Sequence, residues 1–545
     1  MSNNSSSPAT ASAASVSAST PTNPRTPGTS RTPSIPRANP TGSPAASPAV
    51  GSRRRWVALA LLMLPVLLVS VDNTVLSFAL PAISRDLGPS STTLLWIVDV
   101  YPLVLAGLLV AMGTLGDRVG RRRLLLVGAT GFAIVSAAAA FAPTAELLIL
   151  ARAIMGFFGA MLMPSTLSLL RSIFSDPRQR TLAIAIWAGG FSAGSSLGPI
   201  VGGALLQHFP WGSVFLLAVP ILLPLLILGP SLIPESRDPN PHKIDYLSIV
   251  LSLAALTPFV YAIKTLAHDG ITVVGVTALV VGVVVGVLFV LRQRRIKNPL
   301  LDLSLFANRF FSGAVLANFL SVFALVGFLF FVSQHLQLVL ELDPLDAGLL
   351  LIPGAVGGII AGLGAAALVR RVAPRRVIIA GILLSASGFL LIIAMRDDLN
   401  AIVVAIAFVI LSFGIGTAET ISNDVILGSV PADKAGAASG ISETAYELGA
   451  VLGTAVLGAI LSGFYRANVA VPAGLSATDT TAAGETLGGA LGVAENLPGT
   501  DATSLVSSAQ AAFDSGVGAT ATIALVLMLA AALVIQRSMR AQTTG

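Results

Sequence analysis

"TLLWIVDVYPLVLAGLLVAMG" (residues 93–113) is apolar along its whole length except for one carboxylate, Asp99. About 20 apolar residues cross a bilayer as an α-helix, so the stretch reads as a membrane span. An aspartate inside such a span costs about 2.5–3.5 kcal/mol on insertion scales. The reading therefore settles the environment and raises the question of what Asp99 is kept for.

The whole chain repeats the signal. Of its 545 residues, 54% are hydrophobic and only 11% charged, against about 25% charged in a soluble protein, and the mean hydropathy is +0.86. This is an all-α integral membrane protein. The net charge of +6 sits in short basic clusters between apolar runs, which is a topology signal and not a nucleic-acid surface. The chain has no cysteine, which excludes disulfides and thiolate chemistry. His208, His242, His268 and His335 lie near the ends of apolar runs, there is no HExxH, and no lysine follows a glycine. Neither a metal centre nor a nucleotide-binding P-loop is available. "GFSAG" (190–194) and "GSSLG" (194–198) match a hydrolase elbow, but that motif needs a strand–turn–helix setting that a membrane helix lacks. No enzyme and no cofactor are expected.

Fourteen apolar runs reach span length: 56–80, 93–115, 122–142, 146–170, 181–207, 211–232, 245–265, 271–291, 310–333, 345–369, 375–395, 400–424, 437–463 and 517–537. Residues 1–51, rich in Ser, Pro, Thr and Ala without an acidic residue, cannot bury a core and read as a disordered cytoplasmic tail. With the N-terminus inside, 27 of the 32 basic residues face the cytoplasm, and the outer side holds only Arg85, Lys264, Arg396 and Arg466. This positive-inside bias places both termini in the cytoplasm. The loop 464–516 then faces outward. Its readings stay open between disorder and a short helical hairpin over 486–515 on the membrane surface.

"LGDRVGRR" (115–122) after the second span and "LVRRVAPR" (368–375) after the tenth share Leu, Arg, Val and Arg at equivalent places. The match supports a two-fold plan of the kind transporter repeats show: a six-helix bundle over 52–232, two extra helices within 233–296, and a second six-helix bundle over 297–540.

The motifs suggest a family. "GTLGDRVGRRRLLL" (113–126) carries Gly113, Asp117, Arg118, Gly120, Arg121 and Arg122 and resembles the loop signature of the major facilitator superfamily. Physically, Asp117 ends a helix beside arginines, and the glycines permit close approach and a tight turn. "GSSLGPIVGG" (194–203), with Gly194, Gly198, Pro199, Gly202 and Gly203, resembles the Gly/Pro motif of the superfamily's drug:proton antiporters. Its small residues allow tight helix packing, and Pro199 removes one helix hydrogen bond. "VDNTVLSFALPAI" (71–83), "WIVDVYPLVLAG" (96–107) and "SGISETAYELG" (439–449) resemble the fourteen-span exporters of quaternary ammonium compounds and cationic dyes.

Five acidic residues lie within spans: Asp72, Asp99, Glu419, Glu443 and Glu447, with Asp424 at one span's end and Arg152 as the basic residue at that depth. One arginine cannot neutralise five carboxylates, so several must be neutral, water-exposed or waiting for a cation. Glu443 and Glu447, four apart, share a helix face. Asp72 and Asp99 sit in the outer halves of antiparallel spans, where one cavity would hold both. Trp96, Tyr101 and Tyr446, with Trp187 and Phe323, offer cation–π faces. Arg152, in a motif with Gly156 four residues on, is positioned to hold Asp72 or Asp117.

The resemblance implies a proton-coupling role for Asp72, Arg152 and Glu443. It implies substrate or proton sites at Asp99, Glu443 and Glu447. A competing reading makes Asp99 a headgroup-level cap. The expectation is a fourteen-helix major facilitator fold, working as a monomer in the cytoplasmic membrane. It would exchange protons for small lipophilic cationic drugs, with lipid as its other partner and no nucleic acid. The alternative is a proton-coupled exporter of an endogenous metabolite, lipid or peptide.

Overall fold

The computed structural model describes residues 52–237, 245–296, 299–431 and 434–539; the tail 1–51 lies outside them. Regular structure among the described residues is helical throughout. The spans, labelled α1 to α14 in chain order, are Ser52–Leu87, Ser91–Val119, Arg121–Ala139, Ala145–Ile173, Pro177–His208, Ser213–Leu232, Tyr246–Asp269, Val273–Arg295, Arg309–Val339, Pro344–Leu368, Pro374–Ala394, Ala401–Gly428, Ala437–Asn468 and Gly499–Ser538. Thirteen of them are long and apolar enough to cross a membrane. The remaining one, α5, is 32 residues long and occupies the expected fifth span.

Helix starts follow side-chain chemistry. Ser90 and Thr144 each accept a hydrogen bond from the backbone N–H three residues on, opening α2 and α4. Asn400 does the same for α12, satisfying donors that hydrocarbon would leave unpaired. Helices α1–α6 pack as one bundle and α9–α14 as another, with α2 against α13, α1 against α9 and α5 against α10 across the divide. Helices α7 and α8 pair with each other, and α7 also packs on α2 and α13. Their joint is tight: a Cβ on Gly282 would stand 2.9 Å from the Phe259 backbone nitrogen. At one end, Arg292 meets Asp245 at 2.8 Å.

The loops α2–α3, α4–α5, α8–α9 and α10–α11 hold most of the arginines and define a basic end of the bundle. At the opposite, far end the two bundles meet closely, beside a cavity of about 890 Å³ lined by Pro81, Leu206, Gln337, Pro344 and Val506. There Gly203 of α5 lies so near the Pro344 carbonyl, and Gly348 of α10 so near the Pro199 carbonyl, that any side chain would collide. Gly203 thus acts across the two bundles, whereas Gly194, Gly198 and Gly202 lie against α1; a Cβ on Gly194 would stand 2.6 Å from that of Ser70.

The far-end segment between α13 and α14 departs from expectation. The last helix begins at Gly499 and not near 517, and runs for 40 residues, about 60 Å at 1.5 Å per residue. That is about twice the hydrocarbon thickness. Its first half is too polar to read as a span, yet Leu505, Ala509, Ala512 and Phe513 recur on one face and are buried. His335 of α9 meets Asp514 of this extension at 2.9 Å. A helical hairpin does form, but earlier than 486–515, from Ala477–Glu485 and Leu487–Ala494. The Tyr465 hydroxyl donates to the Ala483 carbonyl at 2.8 Å, and Ser84 meets Thr486 at 3.1 Å. The Glu485 carboxylate accepts from the Ser91 N–H at 3.0 Å and its hydroxyl at 2.8 Å. A segment from the second half therefore docks on α1 and α2 of the first.

If Gly203 and Gly348 let the bundles meet at the far end, Gly203→Leu must part them there. Nitroxide labels at cysteines introduced for the exposed Gln207 and Asp346 should show a longer mean separation in that variant by pulsed electron resonance. An unchanged distribution would mean the α5–α10 approach is not the closing element.

Candidate functional site

Asp72 of α1 is fixed by Arg152 of α4: Nη1 stands 2.6 Å from Oδ2, and both side chains are buried. The same guanidinium donates from Nε to the Ile97 carbonyl of α2 at 3.3 Å and lies 4.5 Å from the centroid of the Tyr101 ring. Of the two candidate partners, Arg152 takes Asp72 and not Asp117. Gly156 makes this possible, since a Cβ there would stand 2.7 Å from the Tyr101 carbonyl oxygen and hold α4 away from α2. Arg152 thus joins three helices through one buried charge.

Glu443 and Glu447 lie on α13 as expected, at different depths of cover. Glu447 is 3% exposed, and its Oε2 has no hydrogen-bond partner among the described residues; Glu443 is half-buried. Glu447 interacts electrostatically with both Glu443 and Asp72, and Glu443 with Arg171 toward the basic end of α4. Asp72, Glu447 and Glu443 therefore form a line of carboxylates along the divide. Tyr101, fully buried, faces Asp72, Glu447 and Arg152. Tyr446 is half-buried and packs against Val322, Val326 and Ala450. Glu419 is half-buried on α12, and Asp424 is exposed.

Asp99 has a different neighbourhood. Its Oδ2 lies 2.9 Å from Nζ of Lys264 on α7, with both side chains at 0% exposure. The ammonium sits 4.0 Å from the centroid of the Trp96 ring, and Thr454 of α13, whose hydroxyl donates to the Ala450 carbonyl at 3.3 Å, lies beside the carboxylate. Lys264 is thus not one of the outer-side charges. It is a second intramembrane base, five residues inside the end of α7. Asp99 is not the cap of α2, which is Ser90. A small cavity touching Asn73, Val98, Arg152 and Thr454 lies between its surroundings and those of Asp72, and neither aspartate lines it. The clue in the sequence was that "PFVYAIKTLAHD" (258–269) can stay helical past Lys264.

The loop signature is a clamp. Arg121 Nε donates to Asp117 Oδ1 at 2.8 Å, while Arg118 is exposed. Gly120 adopts φ +117° with the Glu235 carboxyl against its Cα, a backbone region favouring glycine. Glu235, just past α6 and unmarked by any motif, accepts from the Arg122 N–H at 3.0 Å. Arg122 Nη1 donates to the Pro230 and Ile233 carbonyls, each at 3.0 Å. The α2–α3 turn is so tied to the end of α6. Gly113 meets only Pro164, at 3.5 Å from a built Cβ, and is not a forced close approach.

Two helical bundles in close contact at one end, with a buried charge line along their divide, describe a membrane transporter and not an enzyme. The chain belongs to the Major Facilitator Superfamily, whose model matches residues 62–454. It is 61% identical over 482 residues to the multidrug efflux pump LfrA of Mycolicibacterium smegmatis, covering 88% of this chain and 96% of that one. It is 37% identical over 463 residues to the methyl viologen resistance protein SmvA of Salmonella typhimurium, covering 84% and 93%. Among solved structures, an inward-facing bacterial homologue of the lysosomal transporter Spinster shares the fold. It aligns with a TM-score of 0.59 at 18% identity, over 90% of this chain and 99% of that one.

Removing one member of a buried ion pair leaves an uncompensated charge and costs about 3–5 kcal/mol. Arg152→Leu should therefore lower the thermal midpoint of the detergent-solubilised protein by several degrees, and Asp72→Asn added to it should recover most of the loss. A double variant no more stable than the single would mean the pair does not organise α1, α2 and α4.

Proposed function

We propose that the protein is a proton-driven antiporter that exports lipophilic organic cations, such as quaternary ammonium compounds and cationic dyes, across the cytoplasmic membrane. The observation that carries the reading is the line Asp72, Glu447 and Glu443, served within the membrane by one buried arginine. Excess buried carboxylates need protons or organic cations to balance them. One site that takes either, but not both, is a minimal exchanger.

In this reading the basic end, with both termini, faces the cytoplasm, in keeping with the positive-inside bias. A cation enters between the bundles from that side and is held by Glu443 and Glu447. Protons arriving from outside neutralise the carboxylates and release it outward, and proton loss to the cytoplasm restores affinity. Asp72 carries the coupling proton, because the Arg152 pair links its charge state to the packing of α1, α2 and α4. Each elementary charge falling through 100 mV supplies about 2.3 kcal/mol. Two protons for one monovalent cation would sustain more than about tenfold accumulation. The protein then works as a monomer without a cofactor. The name of the methyl viologen resistance protein, methyl viologen being an organic dication, is in keeping with this class of substrate, and that of the Mycolicibacterium pump with multidrug efflux.

The test is ethidium uptake into inside-out vesicles under an imposed pH gradient. Wild type should take up dye in a gradient-dependent way that a protonophore abolishes, and Asp72→Asn should lose at least about 90% of it. Full gradient-driven uptake in Asp72→Asn would remove Asp72 from the coupling. No uptake by wild type would remove cationic dyes from the substrate class and favour an endogenous metabolite.

A further inference from the structure

The Asp99 carboxylate already holds a cation. Lys264 places its ammonium 2.9 Å from the carboxylate and 4.0 Å from the centre of the Trp96 ring, fully buried. A carboxylate on one side and an indole face on another are the groups that recognise an organic cation. We propose that Lys264 is a tethered internal cation: it fills the Asp99–Trp96 pocket when no substrate is bound, and a substrate cation must displace it. This rests on reading the protein as a cation exporter and adds a specificity-determining residue to it.

A purely structural account of the pair is weak on physical grounds. Replacing a buried ion pair by apolar residues is often neutral or stabilising, so the pair is a poor device for merely attaching a helix. Helix α7 already has apolar attachment. Val260 packs in a buried cluster with Leu103 of α2 and with Val451 and Ala455 of α13, and Leu253 fills the space above Gly107. The ammonium, in contrast, is carried on four methylenes, each a rotatable bond, and not on the helix backbone itself.

The pocket is also connected to the carboxylate line. Thr454 begins a π-helical turn over Thr454–Gly458 in α13, the widened helix geometry often found at functional sites. Glu447 lies two turns before it on the same helix. Emptying or refilling the pocket changes what Thr454 faces, on the helix that carries Glu443 and Glu447. Lys264 also sets a threshold: a cation unable to outcompete a tethered primary amine at Asp99 and Trp96 does not bind there.

Apparent affinity falls in proportion to the fraction of time a site is vacant. If Lys264 fills the pocket more than about nine-tenths of the time, Lys264→Met should tighten binding at least about tenfold. The measurement is equilibrium binding of ethidium and of tetraphenylphosphonium to purified full-length protein in detergent. Lys264→Met should bind both more tightly, and Asp99→Asn added to it should cancel the gain. A structural pin predicts the reverse sign, weaker binding in a less stable protein. Lys264→Gln supplies the same comparison should the methionine variant not fold. Wild-type binding with no gain in either variant overturns the tethered-cation role alone. No cation binding in wild type or any variant overturns the cation-exporter reading with it.

Discussion

A charge in hydrocarbon must be neutralised by something within reach, and the interior of this protein is organised by that constraint. The strongest instance is Arg152, whose guanidinium binds Asp72 on α1, the Ile97 carbonyl on α2 and the face of Tyr101. Three helices owe their mutual register to one side chain. Gly156 owes its lack of a side chain to the same contact, because α4 must come close enough for the arginine to reach. The second instance is Lys264 of α7, whose buried ammonium is neutralised by Asp99 of α2. On the divide, Glu447 has no hydrogen-bond partner for Oε2 among the described residues, and this imbalance is what the transport reading uses.

The extra pair of helices is more than an annex between two bundles. Helix α8 touches mainly α7, so its role is to cover α7 toward the surroundings. Helix α7 reaches α2 of one bundle and α13 of the other. It stands at the seam where the two halves must slide if they rock, and places the buried ammonium of Lys264 there. Two separate polar sites line the divide, one between α1, α4 and α13 and one between α2, α7 and α13. Helix α13 is common to both.

Much of this was readable from residues alone, for definite reasons. Span length and apolarity are properties of single segments, so fourteen helices and the Asp117–Arg121 turn could be found without knowing what packs on what. The Asp72–Arg152 pair was one of two partnerships open to an arginine in the fourth span. Lys264 was misplaced because a lysine near the end of an apolar run ordinarily extends toward the headgroups. Its burial depends on α7 continuing to Asp269 and on a carboxylate from α2, a tertiary fact. Glu235 belongs to no motif and acquires its role only because the α2–α3 turn folds onto it. The long start of α14 was hidden by a hydropathy scale blind to a narrow apolar face.

The docked hairpin of residues 477–494 gives the far end an unusual mechanical property. It is threaded between α13 and α14 of one bundle but hydrogen-bonded through Glu485 and Thr486 to Ser91 and Ser84 of the other. Any separation of the bundles there must either peel the hairpin from α1 and α2 or stretch the short connectors 469–476 and 495–498. Those connectors act as a strap of fixed length, so the far mouth has a maximum aperture. The bulk of the largest molecule that can pass there would then be set by the hairpin, independently of the side chains that select it between the bundles.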